Sequence, residues 1–318
     1  MATLAASAPG PRTRVRRWAA GFRSRETWAA YAFLSPWLVG FVIFTAGPMI
    51  ASLVLSFTDY SVIGTTHWVG WDNYHQLVHD PKVATAMKTT LIYTAMVVPA
   101  HVFLALALAV LLSRVGRAAG FFRVVFFLPT MTPAVAVGIL YLLLFNGDYG
   151  LVNGVVQMLH LGHGPYWEID PNWVKPSLVI MQLWKVGASV VILLAALLGV
   201  PQHLYEASAM DGASAWRRFR DVTLPMISPA LFFIVIINTI SALQTFDEVY
   251  TAFFNANTPF GTDASLFYVI YLFQQAFSFF HMGYASALAW LLFLVIMVVT
   301  AIQIVGSRRF VYYEGAKR

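Results

Sequence analysis

Apolar residues fall along this chain in long runs separated by shorter polar stretches. A helix that crosses the ~30 Å hydrocarbon core of a bilayer needs about 20 mainly apolar residues. Six runs reach that length, at residues 31–57, 89–113, 121–145, 177–200, 226–246 and 284–306. In lipid a spanning segment must satisfy its own backbone, so runs of this length without strand alternation predict helices. The pattern therefore predicts an all-α, polytopic membrane protein with six transmembrane helices. A further apolar and aromatic stretch, residues 264–277, has 14 residues and is too short to cross. It is expected to form an interfacial or re-entrant helix on the outer side. Pro99, Pro129 and Pro133 fall within the runs, where proline removes a backbone hydrogen bond and allows a kink.

Charge orients this pattern. Of the residues, 59% are hydrophobic and only 11% charged, whereas a soluble domain carries about 25% charged residues. Sixteen of the twenty basic residues fall on one side if the N-terminus is cytoplasmic: Arg12, Arg14, Arg16, Arg17, Arg23, Arg25, Arg114, Arg117, Arg123, Arg217, Arg218, Arg220, Arg308, Arg309, Lys317 and Arg318. Lys82, Lys88 and Lys175 fall outside, and Lys185 lies within a run. Every loop obeys the positive-inside rule. Both termini are expected in the cytoplasm, in a cell membrane of the plasma or inner type. A seventh crossing at 264–277 would put Arg308, Arg309 and Lys317 outside. The net charge of +6 is thus explained by topology, not by nucleic acid. Residues 1–28 read as a basic cytoplasmic tail and residues 29–318 as the transmembrane domain. The tail resembles the charged part of a signal peptide. The run behind it is far longer than a signal core of 7–15 residues, so it is expected to stay as the first membrane helix. None of the outer loops, 58–88, 146–176 and 247–283, is long enough for a separate domain.

The cytoplasmic stretch 201–225 is the most informative. Pro201 stops the fourth helix, residues 202–211 suit a short helix with small side chains at Ala207, Ser208 and Ala209, and Gly212 lets the backbone turn. Pro225 suits the first turn of the next helix. At 24 residues up to Leu224, this link is long compared with the usual 2–8 between packed helices, and long structured loops tend to carry function. Spacing alone leaves a docking element and a plain connection both open.

The same stretch resembles the Glu-Ala-Ala motif of ABC importer permeases. Glu206, Ala207, Ser208, Gly212, Val222, Leu224 and Pro225 stand at the motif's spacing, with Ser208 in place of the second Ala and Val222 in place of Ile. Asp211-Gly212-Ala213 is typical of the sugar-importer branch. Val69 to Tyr74 resembles that branch's Gly-x-x-Asn-Tyr signature. Phe145-Asn146 through Gly150 and Asn153, and Gly283 to Ala287, match further stretches of the maltose- and glycerol-phosphate-type permeases.

The resemblance runs from about residue 30 to the end. It implies a type I permease with core helices two to six, and residues 201–225 as a cytoplasmic coupling loop. In it Glu206, Ala207, Ser208, Asp211, Gly212 and Ala213 would contact an ATPase, while Leu224 and Pro225 fix the exit into the fifth helix. It also implies three partners: an ATP-binding cassette subunit, a second homologous permease in a heterodimer, and an extracytoplasmic solute-binding protein. The cargo implied is a sugar or oligosaccharide, with glycerol phosphate or another polyol as the alternative. The chain contains no Gly-Lys pair and hence no phosphate-cradling Gly-x-x-x-x-Gly-Lys-Ser/Thr loop, so ATP hydrolysis is expected on a separate subunit.

Polar groups in hydrocarbon are costly and often functional. Gln182, Trp184, Lys185, Asn238, Gln244 and Tyr250 are therefore the substrate-pathway candidates. For Asn238 and Gln244, bonding between helices is an equal reading. Lys185 either snorkels outward or sets a fixed cation suited to a phosphorylated substrate. His101 is expected to be packed and neutral. His160 and His163, near Glu168 and Asp170, read as a solvated loop and not a metal site, and no cofactor or catalytic residue is expected. Asp247 and Glu248 are expected to be solvated or to meet the binding protein. A stand-alone carrier usually has intramembrane acids, and the six runs contain none.

Overall fold

The computed structural model describes residues 25–62, 64–254 and 261–312. The tail at residues 1–24, with most of its arginines, and residues 313–318 lie outside them. Among the described residues the regular structure is helical, with two isolated β-bridges, Thr58–Trp68 and Ser61–His281.

In chain order the helices are α1 (Thr27–Leu55), α2 (Asp72–His79), α3 (Pro81–Arg114), α4 (Ala119–Phe127), α5 (Ala134–Phe145) and α6 (Leu151–Met158). They continue with α7 (Val174–Leu183), α8 (Gly187–Leu198), α9 (Gln202–Met210), α10 (Ala215–Leu243), α11 (Tyr268–Phe273) and α12 (Met282–Ser307). By length and composition, α1, α3, α10 and α12 can each cross a membrane. Ala119–Met131 with α5, and α7 with α8, are bent pairs at 94° and 52°, so there are six spans if each pair counts as one.

The runs 121–145 and 177–200 are therefore not straight helices. The first breaks because Pro129 sits in a 3₁₀ turn, Leu128–Met131, and Pro133 precedes α5 in an extended conformation. The second breaks without proline. A Cβ on Gly187 would lie 2.0 Å from the carbonyl oxygen of Phe126 and 2.7 Å from the Cα of Phe127. The two breaks thus meet backbone against backbone, an approach only glycine allows. Pro99, by contrast, leaves the 34-residue α3 uninterrupted.

α3 is the post of the bundle. Ala86, Thr90, Tyr93, Val97, His101, Ala105, Ala109 and Leu112 are buried along it, a stripe of helical period. This stripe packs against α7, α8, α10 and α11. Toward its C-terminal end Ala105, Ala109 and Leu112 join Val190, Leu193, Leu194 and Ile234 in a separate cluster. α1 buries none of its apolar window within the chain and rests on α12.

The end of the bundle at which α3 begins is tied together by hydrogen bonds. Asp80 caps α3 by accepting from the Lys82 amide at 2.9 Å, and its Oδ2 accepts from the hydroxyls of Tyr284, at 2.9 Å, and Tyr271. Burial pushes the Asp80 carboxyl up, but hydrogen bonds from Tyr271, Tyr284 and the Lys82 and Val83 amides outweigh it and hold it below the usual carboxylate range. Asn73 Nδ2 donates to the carbonyls of Ser56 and Thr58, at 2.9 and 2.8 Å. A Cβ on Gly283 would lie 2.0 Å from the Thr58 oxygen. The family-like stretches 69–74 and 283–287 thus meet at the end of α1.

The 264–277 stretch is largely buried within the chain. It forms α11 and a following π-turn, Gln274–Ser278, with Phe267, Tyr268 and Ile270 fully buried. The Tyr268 amide donates to Thr90 Oγ1 and its hydroxyl to the Leu288 carbonyl, both at 2.9 Å, clamping α11 between α3 and α12.

Two outcomes follow for stability in detergent. Asp80→Asn is expected to cost about 1.5–3 kcal/mol at neutral pH, the range for hydrogen bonds to a charged group, read as a lower thermal midpoint. Because the folded Asp80 value is depressed, this contribution is complete above the unfolded carboxylate range and disappears as pH falls through the folded value. Gly187→Ala is expected to cost about 1–3 kcal/mol by overpacking. Gly120→Ala, where a Cβ meets nothing within 4 Å, is neutral or slightly stabilising in the same measurement.

Candidate functional site

The loop 201–225 folds into two parts. α9 follows Pro201, whose extended conformation ends α8. Its far end closes with Gly212 at φ +73°, the Ala213 amide donating to the Ser208 carbonyl and the Gly212 amide to the Ala209 carbonyl, each at 3.0 Å. This is a Schellman closure, and it accounts for the glycine: a side chain there would have to adopt left-handed backbone. α9 has no buried residue. Glu206, Ala207, Ala209, Met210, Asp211 and Gly212 are exposed, Met210 by 86%. Leu204, Tyr205, Ser208 and Ala213 are half-buried.

α9 is attached to the bundle by a side-chain contact that spacing did not reveal: the Tyr205 hydroxyl lies 2.9 Å from Thr223 Oγ1, and Thr223 is buried at the root of α10. Ser214 caps the start of α10, accepting from the Arg217 amide. Leu224 and Pro225 follow a π-turn, Phe219–Thr223, and start the regular part of that helix.

The six pathway candidates separate. Gln182 and Asn238 line one small void of about 20 Å³, together with Tyr93, His101, Ser241 and Thr245. A second void of about 10 Å³ lies against Gln182, Tyr93, Tyr141 and Glu248. Each holds at most a water, not a sugar. Asn238 Nδ2 donates to the Ile234 carbonyl of its own helix at 2.9 Å, in place of a bond between helices. Tyr250 stacks on Phe246 at 5.2 Å and meets Phe273 edge-on at 5.0 Å. Trp184 and Gln244 are exposed.

Lys185 neither snorkels nor stands as a free cation. Its Nζ donates to Glu248 Oε1 at 2.9 Å, both side chains being mostly buried. The solvated reading of Glu248 is corrected accordingly, while Asp247 remains exposed. Gly138 makes room for this turn, since a Cβ there would sit 2.8 Å from the Glu248 carbonyl oxygen. A lysine and a glutamate 63 residues apart give no local signal of pairing.

Two other groups are placed clearly. His101 is buried and its Nε2 lies 2.9 Å from Ser189 Oγ. Glu168 is not in a solvated loop. It is buried and accepts from the Gly147 amide at 2.9 Å, inside a turn where Asn153 donates to the Gly147 carbonyl and Trp167 donates to Asn153.

Comparison with known proteins agrees with this architecture. The sequence model described as "Binding-protein-dependent transport system inner membrane component" matches residues 101–311. The chain is 36% identical over 293 residues to the probable ABC transporter permease protein YesP of Bacillus subtilis, covering 92% of this chain and 94% of that one. It is 32% identical to the lactose transport system permease protein LacF of Rhizobium radiobacter, covering 87% and 93%. A solved bacterial ABC transporter involved in import of the acidic polysaccharide alginate contains a chain that superposes with a TM-score of 0.79 at 22% identity, over 93% of this chain and 100% of that one, which establishes the fold. With its family model, its relatives and its helices all in accord, the chain belongs to the inner-membrane permease components of binding-protein-dependent ABC transport systems.

Proposed function

We propose that this chain is the sugar- or oligosaccharide-translocating permease subunit of an ATP-driven importer, and that residues 201–225 form its contact with a separate ATPase. The observation that carries the reading is α9: a helix with no residue buried in its own chain, held at its root and closed by a glycine. Such a helix is shaped for burial by a partner. Glu206, Ala207, Asp211 and Gly212 offer the partner a carboxylate, small side chains and bare backbone. Ser208 and Ala213 support them from beneath, and Leu224 and Pro225 pass displacement of α9 into α10. The basic residues at this end, Arg114, Arg217, Arg218, Arg220, Arg308 and Arg309, favour a cytoplasmic position with both termini inside. The division into a basic tail at 1–28 and a permease domain at 29–318 belongs to the same reading.

The voids at Gln182 and Asn238 are too small for a sugar ring. In this reading the cargo-sized passage forms with a second permease facing this one, and a solute-binding protein delivers from outside. The lactose permease among the relatives favours a saccharide. The Lys185–Glu248 pair favours an uncharged one, because the lysine's charge is already matched. Glycerol phosphate would be better served by an unpaired cation, and a carrier working alone does not fit a binding-protein-dependent family.

Gly212→Trp is expected to leave the chain in the membrane with its second permease but to reduce co-purifying ATPase subunit about tenfold or more. Gly212→Asn, which tolerates left-handed backbone, should retain most of it. Equal ATPase recovery with both variants would refute the docking role. For the ion pair, Lys185→Met and Glu248→Gln should each lower the thermal midpoint more than the double variant does, with a coupling of about 1–3 kcal/mol, between exposed and fully buried pairs. Additive effects in that cycle would mean the two charges act separately.

A further inference from the structure

Beside the root of α9, α3 and α10 enclose a continuous groove. Its longer part, about 570 Å³, is lined by Phe103, Leu106, Val110, Leu111, Trp216 and Phe219. It opens into a cleft of about 380 Å³ that includes Arg114, Arg218, Tyr205 and Thr223. Val110, Arg114, Ala215 and Phe219 border both. Phe103 and Trp216 are exposed by 75% and 70%. From Phe103 to Arg114 the helix rises about 16 Å at 1.5 Å per residue, which matches one leaflet, or half of the ~30 Å hydrocarbon core. Among the described residues the ion pairs are Lys185–Glu248 and Arg220–Asp221, so neither Arg114 nor Arg218 has a carboxylate partner.

The groove is thus apolar over the depth of one leaflet and ends at two unpaired guanidinium groups. We propose that it binds an anionic phospholipid, with one acyl chain along Phe103, Leu111 and Trp216 and the phosphate between Arg114 and Arg218. The planar guanidinium fork matches phosphate oxygens in pairs. Basic pockets between membrane helices at the cytoplasmic face take anionic head groups, and tryptophan is favoured at the interface level. A zwitterionic lipid would bring its own cation against the arginines, and free phosphate would leave the apolar length of the groove unfilled. The head-group end is also bordered by Tyr205 and Thr223, whose 2.9 Å contact joins α9 to α10. A lipid there would steady the base of α9. That consequence rests on the coupling role proposed above, whereas lipid binding does not.

The test is native mass spectrometry of the full chain purified with its accompanying subunits, stripped of lipid and titrated with phosphatidylglycerol or phosphatidylcholine. The unaltered protein is expected to retain phosphatidylglycerol about tenfold or more over phosphatidylcholine, from two arginines near the head group, and millimolar inorganic phosphate should not displace it. Arg114→Gln with Arg218→Gln should bring the two lipids to parity. Ala107→Trp, which fills the groove and keeps both arginines, should lower retention of both lipids without loss of the second permease. A photo-crosslinking residue at position 107 should capture lipid. Equal retention of the two lipids, an unchanged double variant, displacement by phosphate, or capture of the second permease at position 107 would each overturn the proposal. None of these readouts depends on ATPase recovery, so failure here and failure of the coupling reading remain distinct.

Discussion

A peptide group left without a partner in hydrocarbon costs several kcal/mol, and this constraint governs where the bundle is allowed to depart from straight helix. Among the departures, the two that bend a span, at residues 128–133 and 184–186, are packed close to each other. Gly187 lets α8 lie directly on the backbone of Phe126 and Phe127, beside the first break. The bends of 94° and 52° fall in two nominal spans, whereas α3 continues as one helix through Pro99. α3 can serve as the post because its buried stripe is largely small or β-branched, with Ala86, Thr90, Val97, Ala105 and Ala109 admitting close neighbours.

The same arrangement separates the chain into ends with different mechanical character. The end at which α3 begins is cross-linked by hydrogen bonds that join distant segments: Asp80 with Tyr271 and Tyr284, Asn73 with the end of α1, and Thr90 with the start of α11. At the other end α9 is joined to α10 through the Tyr205–Thr223 contact and has no buried residue of its own. Between them, the matched charges of Lys185 and Glu248 sit where α7 ends and the 247–254 turn begins, so the polar interior of this chain is neutral at that level.

Much of this was legible in the residues because lipid imposes a length rule on each span independently of its neighbours. The six apolar runs, the short non-crossing stretch at 264–277 and the sidedness of the arginines need no tertiary information. The helix at 202–210 and its glycine stop were also readable, since capping is decided within a few residues of the chain. The pathway residues were less so. Residue type alone ranked Gln182, Asn238, Gln244 and Trp184 together, although the fold buries two of them partly against one void and exposes the others. Tyr93, Ser241 and Thr245, which share that void, carried no distinguishing mark.

The sequence by itself determined that the chain is a helical membrane protein of up to six spans, on which side of them its basic residues cluster and where the short helix after Pro201 ends, because hydropathy, charge and glycine positions act locally. Only the tertiary structure decided that two spans are bent and cross at Gly187, that Lys185 is neutralised by Glu248, that Glu168 is buried, and that Arg114 and Arg218 end one apolar groove. These facts depend on which distant segments meet. In a bundle whose spans are all similarly apolar, hydropathy does not encode that choice. It is made by the shapes of small residues and by the few polar groups that must find partners across the fold.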